Sequence, residues 1–598
     1  MTAPAAASIF SVELLAELIR RGVQDVVVCP GSRSQALALA AAAAEQAGSI
    51  RLHVRIDERS AGFFALGLGR ETGLPAPIIV TSGSAVAHLM PAVLEAHESR
   101  VPMLLLTADR PASLHGIRSN QTTSQAGILG PAARLSLDIE APEFGANGDL
   151  VRADGRDPAA LAPLALAAAL GRPGRTPAGP VQLNIAFVEP LSGTQGFESM
   201  IAQGFAAAAV EGDAARAARE AAAAAAAPAG PSDDRDEQTY VHRGDALAVV
   251  IAGEGAGAEA EAFAHAAGLP LIAEVVSGAR FGREAITAYA TLIDDPAVGA
   301  LTEQAIVFGH PTLTRQLPAL LKRDDVDVVV VDPHTGTDHY DPSRGARVVQ
   351  RATVAADHDP RALRRWLGAW LTADLALRDE RSTAHEPDLG AALATGYKER
   401  SAYARAEVAA MREPITRELL AESVWRASWP HDRLVLAASR MVRVLDSLAQ
   451  PRKVNVHASR GLAGIDGTVA TARGIAAASQ GTDDPRLAAG TTRVLLGDLA
   501  LLHDAGSLLL TEGELRPRVQ LFVANDGGGT IFSGLEVADT TPADSFARVM
   551  TTPQQVPLET LAAAYGWRYR RVTTRAELEE LLISQVTGPE LIDVPIFA

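Results

Sequence analysis

Short apolar runs recur along the chain, and longer helix-forming stretches separate them. Residues 26–29, 78–81, 103–107 and 181–185 are such runs within the first 190 positions. Runs this short, bounded by Asp, Glu, Ser and Pro, predict buried strands of a parallel sheet joined by crossover helices. A second series at 247–252, 271–274, 305–308 and 326–331 repeats the alternation, and a third extends from the end of a charged helical stretch (372–414) to Ala598. Between the first two series an alanine run, 221–227, passes into Pro-Ala-Gly-Pro-Ser-Asp-Asp-Arg-Asp-Glu, the pattern of a helix leading into a solvated linker. The expected fold class is α/β. It comprises an N-terminal domain at 1–205, a linker at 206–239, a middle Rossmann-like domain at 240–395 and a C-terminal domain at 396–598. The terminal domains are expected to carry similar sheets.

The polar residues that end two late apolar runs carry the first candidate chemistry. Val494-Leu495-Leu496 leads into Gly497-Asp498-Leu499, and Val519 to Ala524 leads into Asn525-Asp526-Gly527-Gly528-Gly529. Open α/β sheets bind ligands where strands emerge. A carboxylate, an amide oxygen and a glycine carbonyl form a hard-oxygen set that suits Mg²⁺ and leaves room for diphosphate oxygens. The same residues also make ordinary turns. In the middle block, Gly253-Glu254-Gly255-Ala256-Gly257-Ala258 follows a strand and fits a dinucleotide fingerprint, with Glu274 at the ribose-binding spacing. Glycines that merely allow tight packing are the expected reading there.

Composition narrows the class without naming the chemistry. With 598 residues the chain is long enough for three or four domains. A net charge of −17 argues against nucleic acid as partner, although a local arginine cluster remains compatible with acidic substrates. The single cysteine, Cys29, excludes a disulfide framework and fits a cytoplasmic protein. Glu13 and Glu17 near the start argue against a signal peptide, and the chain contains no uncharged apolar run long enough for a membrane span.

Read in order, Pro30-Gly31-Ser32-Arg33-Ser34, Arg55-Ile56-Asp57-Glu58-Arg59, Thr81-Ser82-Gly83-Ser84, Thr107-Ala108-Asp109-Arg110-Pro111, Asn120-Gln121, Ser459-Arg460-Gly461, the Asp498 and Asn525 segments and Ile531-Phe532-Ser533 closely resemble the MenD family of thiamine-diphosphate-dependent enzymes. The resemblance covers both ends of the chain well and the middle weakly. It implies two cofactor-binding domains, one for the pyrimidine and one for the diphosphate, flanking the middle domain. It also implies thiamine diphosphate with Mg²⁺ or Mn²⁺ as cofactors. Glu58 matches the acid that contacts the aminopyrimidine nitrogen, its position being read as the end of a short strand at 52–56 before an apolar helix at 61–67. Ile465 matches the apolar residue that bends the cofactor. Gly497, Asp498, Asn525 and Gly527 match the diphosphate and metal site, with Asp526 standing where many members carry Asn. Ser32, Arg33, Gln121, Ser439, Arg443, Arg460 and Phe532 match the substrate pocket, and Arg315 matches it more loosely. Ser439 and Arg443 are spaced to share one helix face.

The implied reaction is a carboligation in menaquinone biosynthesis. It decarboxylates 2-oxoglutarate and adds the succinyl-semialdehyde carbanion 1,4 to isochorismate. Several forked arginines suit substrates with two carboxylates each. The resemblance further implies a homodimer or homotetramer with active sites at subunit interfaces. Two alternatives stand beside it. One is another enzyme of the class, such as an acetohydroxyacid synthase or a 2-oxo-acid decarboxylase, and the other is a catalytically silent binding protein on the same scaffold.

Overall fold

A computed structural model describes residues 4–145, 150–152, 157–172, 174–225, 238–334, 338–361, 363–482 and 484–596. Three parallel sheets carry the fold. The first runs Arg51–Val54, Asp25–Val28, Pro77–Val80, Met103–Asp109, Pro180–Ala186, Leu135–Ile139. The third runs Asn455–Ala458, Arg433–Leu436, Thr492–Gly497, Val519–Asn525, Glu590–Pro595, Arg568–Arg571. Numbered within each sheet, both follow the order 2-1-3-4-6-5, so the similarity expected of the terminal sheets extends to their connectivity. The middle sheet, with Ala248–Ala252 as its first strand, follows 2-1-3-4-5. In each sheet the strand order reverses between the first and third strands, and the carboxyl ends at such a reversal are where open α/β sheets bind ligands.

Near-continuous burial explains the short apolar runs. Asp25–Val28, Pro77–Val80, Met103–Asp109 and Pro180–Ala186 are buried along their whole length, because helices cover both faces of the sheet. The chain divides into two compact units: Met1–Pro228 with Val469–Gly481 and Gly506–Leu515, and Ala229–Thr468 with Thr482–Ala505 and Arg516–Ala598. Two late segments thus join the first unit. Glycine makes this packing possible where helices Glu58–Thr72 and Thr468–Gln480 cross. A Cβ on Gly67 would lie 2.1 Å from the Thr471 carbonyl oxygen, and one on Gly474 would lie 2.1 Å from that of Phe64. Only hydrogen at both positions lets the backbones approach so closely.

Several boundaries move from their expected places. The strand before Glu58 stops at Val54, and Glu58 opens a helix that continues to Thr72. The cause is Asp57, whose carboxylate accepts from the Arg59 N–H at 2.9 Å and caps the helix start. The first part of the expected linker is helical, within Glu198–Ala225. Residues 226–237 lie outside the described residues. Among the described residues no helix is long and apolar enough to cross a membrane.

Candidate active site

Asp498 and Asn525 leave neighbouring strands at the same level, because Gly497 pairs with Ala524 in the parallel register of Thr492–Gly497 and Val519–Asn525. Asp498 is 4% exposed. Burial pushes its carboxyl up to about 6, and the charge of Asp526 adds to the rise. The Asn525 Nδ2 donates to Asp593 Oδ1 at 2.9 Å, which fixes the amide plane and leaves its oxygen as the remaining ligand atom. Gly527 has φ +76° with open space where a Cβ would stand, whereas a Cβ on Gly528 would lie 2.4 Å from the Thr551 carbonyl oxygen. A carboxylate destabilised by burial, a pinned amide oxygen and a positive-φ glycine with open space beside its Cα fit a divalent cation. They also give the negative charge at Asp498 a reason to be there.

Asp526, where the family pattern has Asn, brings its own compensation. Arg417 Nη2 donates to its Oδ2 at 2.7 Å, and both side chains are 11% exposed. The Thr530 hydroxyl also donates to it. Phe532 lies half-buried on the same turn, within the short helix Thr530–Gly534. Ile465 is half-exposed in the turn before Thr468–Gln480, so it is not plain core.

In the first unit, Glu58 is half-buried at the start of its helix. The side-chain ligand atoms of Asp57, Glu58 and His88 lie within 4.8 Å of one another. The strand that delivers Glu58 is held by a carboxylate from late in the chain: Glu514 accepts from the Val54 N–H at 2.8 Å and from Arg55 Nη1 at 2.8 Å. Thr511 also donates to the Val54 carbonyl at 3.0 Å. His53 completes the network, with Nε2 2.9 Å from Asp25 Oδ1.

Arg33 and Gln121 meet around Arg110 at the carboxyl ends of the first sheet. Arg33 Nη1 donates to the Phe187 carbonyl at 3.1 Å. Burial and the neighbouring Arg110 charge both pull the Arg33 guanidinium below its usual range. Arg110 donates to Ser82 Oγ and, at 2.7 Å, to the Gln121 carbonyl. Gln121 returns a 3.0 Å bond to the Ser82 carbonyl from a positive-φ conformation. Ser32 is exposed beside them. Glu189 Oε1 stands 4.0 Å from Arg33 Nη2, and a substrate carboxylate would compete with it for the guanidinium.

On the third sheet, Ser439 caps helix Arg440–Leu448 by accepting from the Met441 N–H at 3.2 Å. Arg443 Nη1 reaches back to the Ser439 carbonyl at 3.3 Å, which places the pair on one helix face. Arg460 is buried, with Nε donating to Thr312 Oγ1 at 2.9 Å and Nη2 to the Thr312 carbonyl at 3.3 Å. Arg315 is exposed at the start of helix Gln316–Leu321. In the middle-block fingerprint the first glycine is a packing residue, since a Cβ on Gly253 would lie 2.1 Å from the Pro311 nitrogen, whereas Gly255 and Gly257 adopt positive φ with open space beside them. Glu274, the apparent ribose acid, is fully buried and accepts from the Thr312 and Leu313 N–H groups.

Sequence reasoning passed over Arg110, Arg417, Thr312, Glu514 and Asp593. Arg110 lies within the Thr107-Ala108-Asp109-Arg110-Pro111 motif, so its neighbourhood is visible in the sequence. The other four act through partners far away in sequence and leave no local signal.

The residues 11–128 match the model of the thiamine pyrophosphate enzyme, N-terminal TPP binding domain. A 2-succinyl-5-enolpyruvyl-6-hydroxy-3-cyclohexene-1-carboxylate synthase from Leifsonia xyli subsp. xyli is 49% identical over 595 residues, covering 98% of this chain and 96% of its own. The same enzyme from Clavibacter michiganensis subsp. michiganensis is also 49% identical, over 98% of this chain and 95% of its own. Among solved structures, benzoylformate decarboxylase from Polynucleobacter necessarius shares the fold, with a TM-score of 0.61 at 14% identity and coverage of 99% of this chain and 98% of that one. Identity near one half, sustained from end to end, decides the question that the strand ends raise: the chain belongs to the 2-succinyl-5-enolpyruvyl-6-hydroxy-3-cyclohexene-1-carboxylate synthase family of thiamine-diphosphate-dependent enzymes.

Proposed function

We propose that this chain, with thiamine diphosphate and Mg²⁺ (or Mn²⁺), decarboxylates 2-oxoglutarate and transfers the resulting four-carbon unit in a 1,4 sense to isochorismate. The observation that carries the proposal is the paired exit of Asp498 and Asn525 at one register level in a chain of this family. Thiamine diphosphate supplies, when bound, a nucleophilic carbon and an electron sink for the loss of CO₂ from a 2-oxo acid.

The chain's own residues have three tasks. Asp498, Asn525 and the Gly527 carbonyl hold the cation, and the positive-φ glycines let backbone N–H groups approach phosphate oxygens. Glu58 would hold a proton at the aminopyrimidine nitrogen, and Ile465 would give the bound cofactor an apolar contact. Arg33, Arg443 and Arg460, with Ser32, Gln121, Ser439 and Arg315, bind and orient the substrate carboxylates, and Phe532 forms an apolar wall. Fixed cations that face developing charge lower the barrier without reorganising during the reaction. The working form is a homodimer or homotetramer in the cytoplasm, with Glu58 of one subunit serving the metal site of another.

Release of CO₂ from 2-oxoglutarate and from pyruvate, with and without isochorismate, tests this assignment. Fast release from 2-oxoglutarate that depends on isochorismate supports it. A preference for pyruvate transfers the chain to acetohydroxyacid-synthase-like chemistry.

A further inference from the structure

One buried acid of the middle block holds the peptide that contacts Arg460. Glu274 follows the short strand Leu271–Ala273, is 0% exposed and sends its Oε1 to two consecutive backbone N–H groups, those of Thr312 at 2.8 Å and Leu313 at 2.6 Å. Thr312 then presents both of its oxygens to Arg460, the hydroxyl at 2.9 Å from Nε and the carbonyl at 3.3 Å from Nη2. Arg460 is itself 3% exposed, so its guanidinium has little freedom except what these bonds allow.

We propose that Glu274 is a positioning residue for the reaction, fixing the Thr312 peptide so that Thr312 aims Arg460 at a substrate carboxylate. The proposal rests on the assignment of Arg460 to carboxylate binding given above.

Three observations support a positioning role over simple filling of the core. A buried carboxyl is a costly filler compared with an apolar side chain of similar volume. Burial and the charge of Asp446 push Glu274 up to about 8. Its Oε1 accepts two backbone bonds, and its contribution is geometric. The next residue does the same for the other side of the pocket: the Val275 N–H donates to Asp446 Oδ1 at 2.7 Å. Asp446 lies on helix Arg440–Leu448, which carries Arg443 and is capped by Ser439. Arg280 secures that joint, with Nη1 on the Ala273 carbonyl at 2.7 Å and Nη2 on the Asp446 carbonyl at 2.6 Å. Residues 273–275 thereby set both Arg460 and the helix bearing Arg443 against one strand end. A bidentate grip on a dicarboxylate depends on the relative placement of its two cations, which is what such a common reference point fixes.

The test is a kinetic series on the full chain loaded with thiamine diphosphate and Mg²⁺, with cofactor affinity and the urea midpoint measured alongside. The variants are Arg460→Ala, Glu274→Ala, Glu274→Gln, Thr312→Val and Thr312→Ser. Arg460→Ala is expected to raise KM for one dicarboxylate by about tenfold or more. Glu274→Ala and Thr312→Val should raise the same KM by roughly three- to thirtyfold with unchanged cofactor affinity, and their combination should add less than about twofold, because both break one relay. Glu274→Gln keeps the accepting oxygen and Thr312→Ser keeps the hydroxyl, so both should stay within about twofold of the parent.

An unchanged KM in Thr312→Val, full additivity of the pair, or failure of both conservative variants to restore KM overturns the proposal. If Glu274→Ala does not fold, Thr312→Val and Glu274→Gln still decide it. An Arg460→Ala variant with both KM values unchanged removes the carboxylate assignment itself, and the positioning role falls with it. A shift confined to Arg460→Ala leaves the assignment standing and sinks only the relay.

Discussion

Arg417 donates to Asp526 across 2.7 Å, one position beyond the amide that the metal site requires. Without this partner the extra carboxylate would stand beside Asp498, whose own carboxyl is already raised by burial and by Asp526. Arg417→Met should therefore destabilise the protein by about 1–3 kcal/mol, since it leaves a largely buried charge with only the neutral Thr530 hydroxyl as partner. Asp526→Asn in the same chain should return most of the loss. Urea unfolding of the two single variants and the double variant measures the coupling, and additive losses would show that the pair is incidental.

Asp498 supplies the only full charge in the proposed oxygen set. Asp498→Ala should abolish metal-dependent binding of thiamine diphosphate and leave the unfolding midpoint close to that of the parent. Calorimetric titration of the cofactor with Mg²⁺ and with chelator reads both states. Undiminished affinity in chelator would remove the metal from the site.

Glu58→Gln should bind thiamine diphosphate normally and fail to activate it, because an amide cannot hold the proton that the aminopyrimidine nitrogen needs. Loss of the exchange of the cofactor's C2 proton with deuterated solvent is expected, by a factor of about 100 or more. Parent-like exchange would exclude the role given to Glu58.

The network behind Glu58 predicts acid sensitivity. Burial works against the Glu514 carboxylate, but the bond to His53 and the charge of Arg55 overcome it and hold the group at about 2. Asp25 is held at about 2 against the same burial by His53 and Arg51. Both folded values lie below the ordinary ones of 4.5 and 3.8, so their stabilisation is present above those values and is lost as pH falls towards 2. His53 has the opposite sign: although burial lowers it, Asp25 and Glu514 raise it further, so its share is present below 6.5 and is lost as pH rises through its folded value. Glu514→Gln should cost on the order of 2 kcal/mol at neutral pH, with the gap narrowing as pH falls below 4.5. Urea unfolding across that range checks the trend, and a gap independent of pH would contradict it.

What was legible in the sequence follows from how local each signal is. Fully buried strands write themselves as apolar runs, so all three parallel sheets were visible, and the residues that follow them were automatically candidates for the site. Ser439 and Arg443 were legible as a pair because four residues make one helical turn. Glu58 was read as the end of its strand and instead opens a helix beyond Val54, since the cap made by Asp57 competes with the apolar Ile56 for the boundary. The contacts that hold these residues were not legible. Arg417 reaches Asp526, Glu514 reaches Val54 and Thr312 reaches Arg460 across more than one hundred positions of chain, and only packing brings them together. Gly253 shows the converse, since the first glycine of a motif that fits a nucleotide loop is explained by the Pro311 backbone against it, while Gly255 and Gly257 are held by their positive φ.

Mass analysis of the product decides the function most directly. Purified protein with thiamine diphosphate, Mg²⁺, 2-oxoglutarate and isochorismate should yield 2-succinyl-5-enolpyruvyl-6-hydroxy-3-cyclohexene-1-carboxylate, with the enolpyruvyl ether intact and one CO₂ lost. Absence of that product, with efficient condensation of pyruvate in its place, would contradict the assignment.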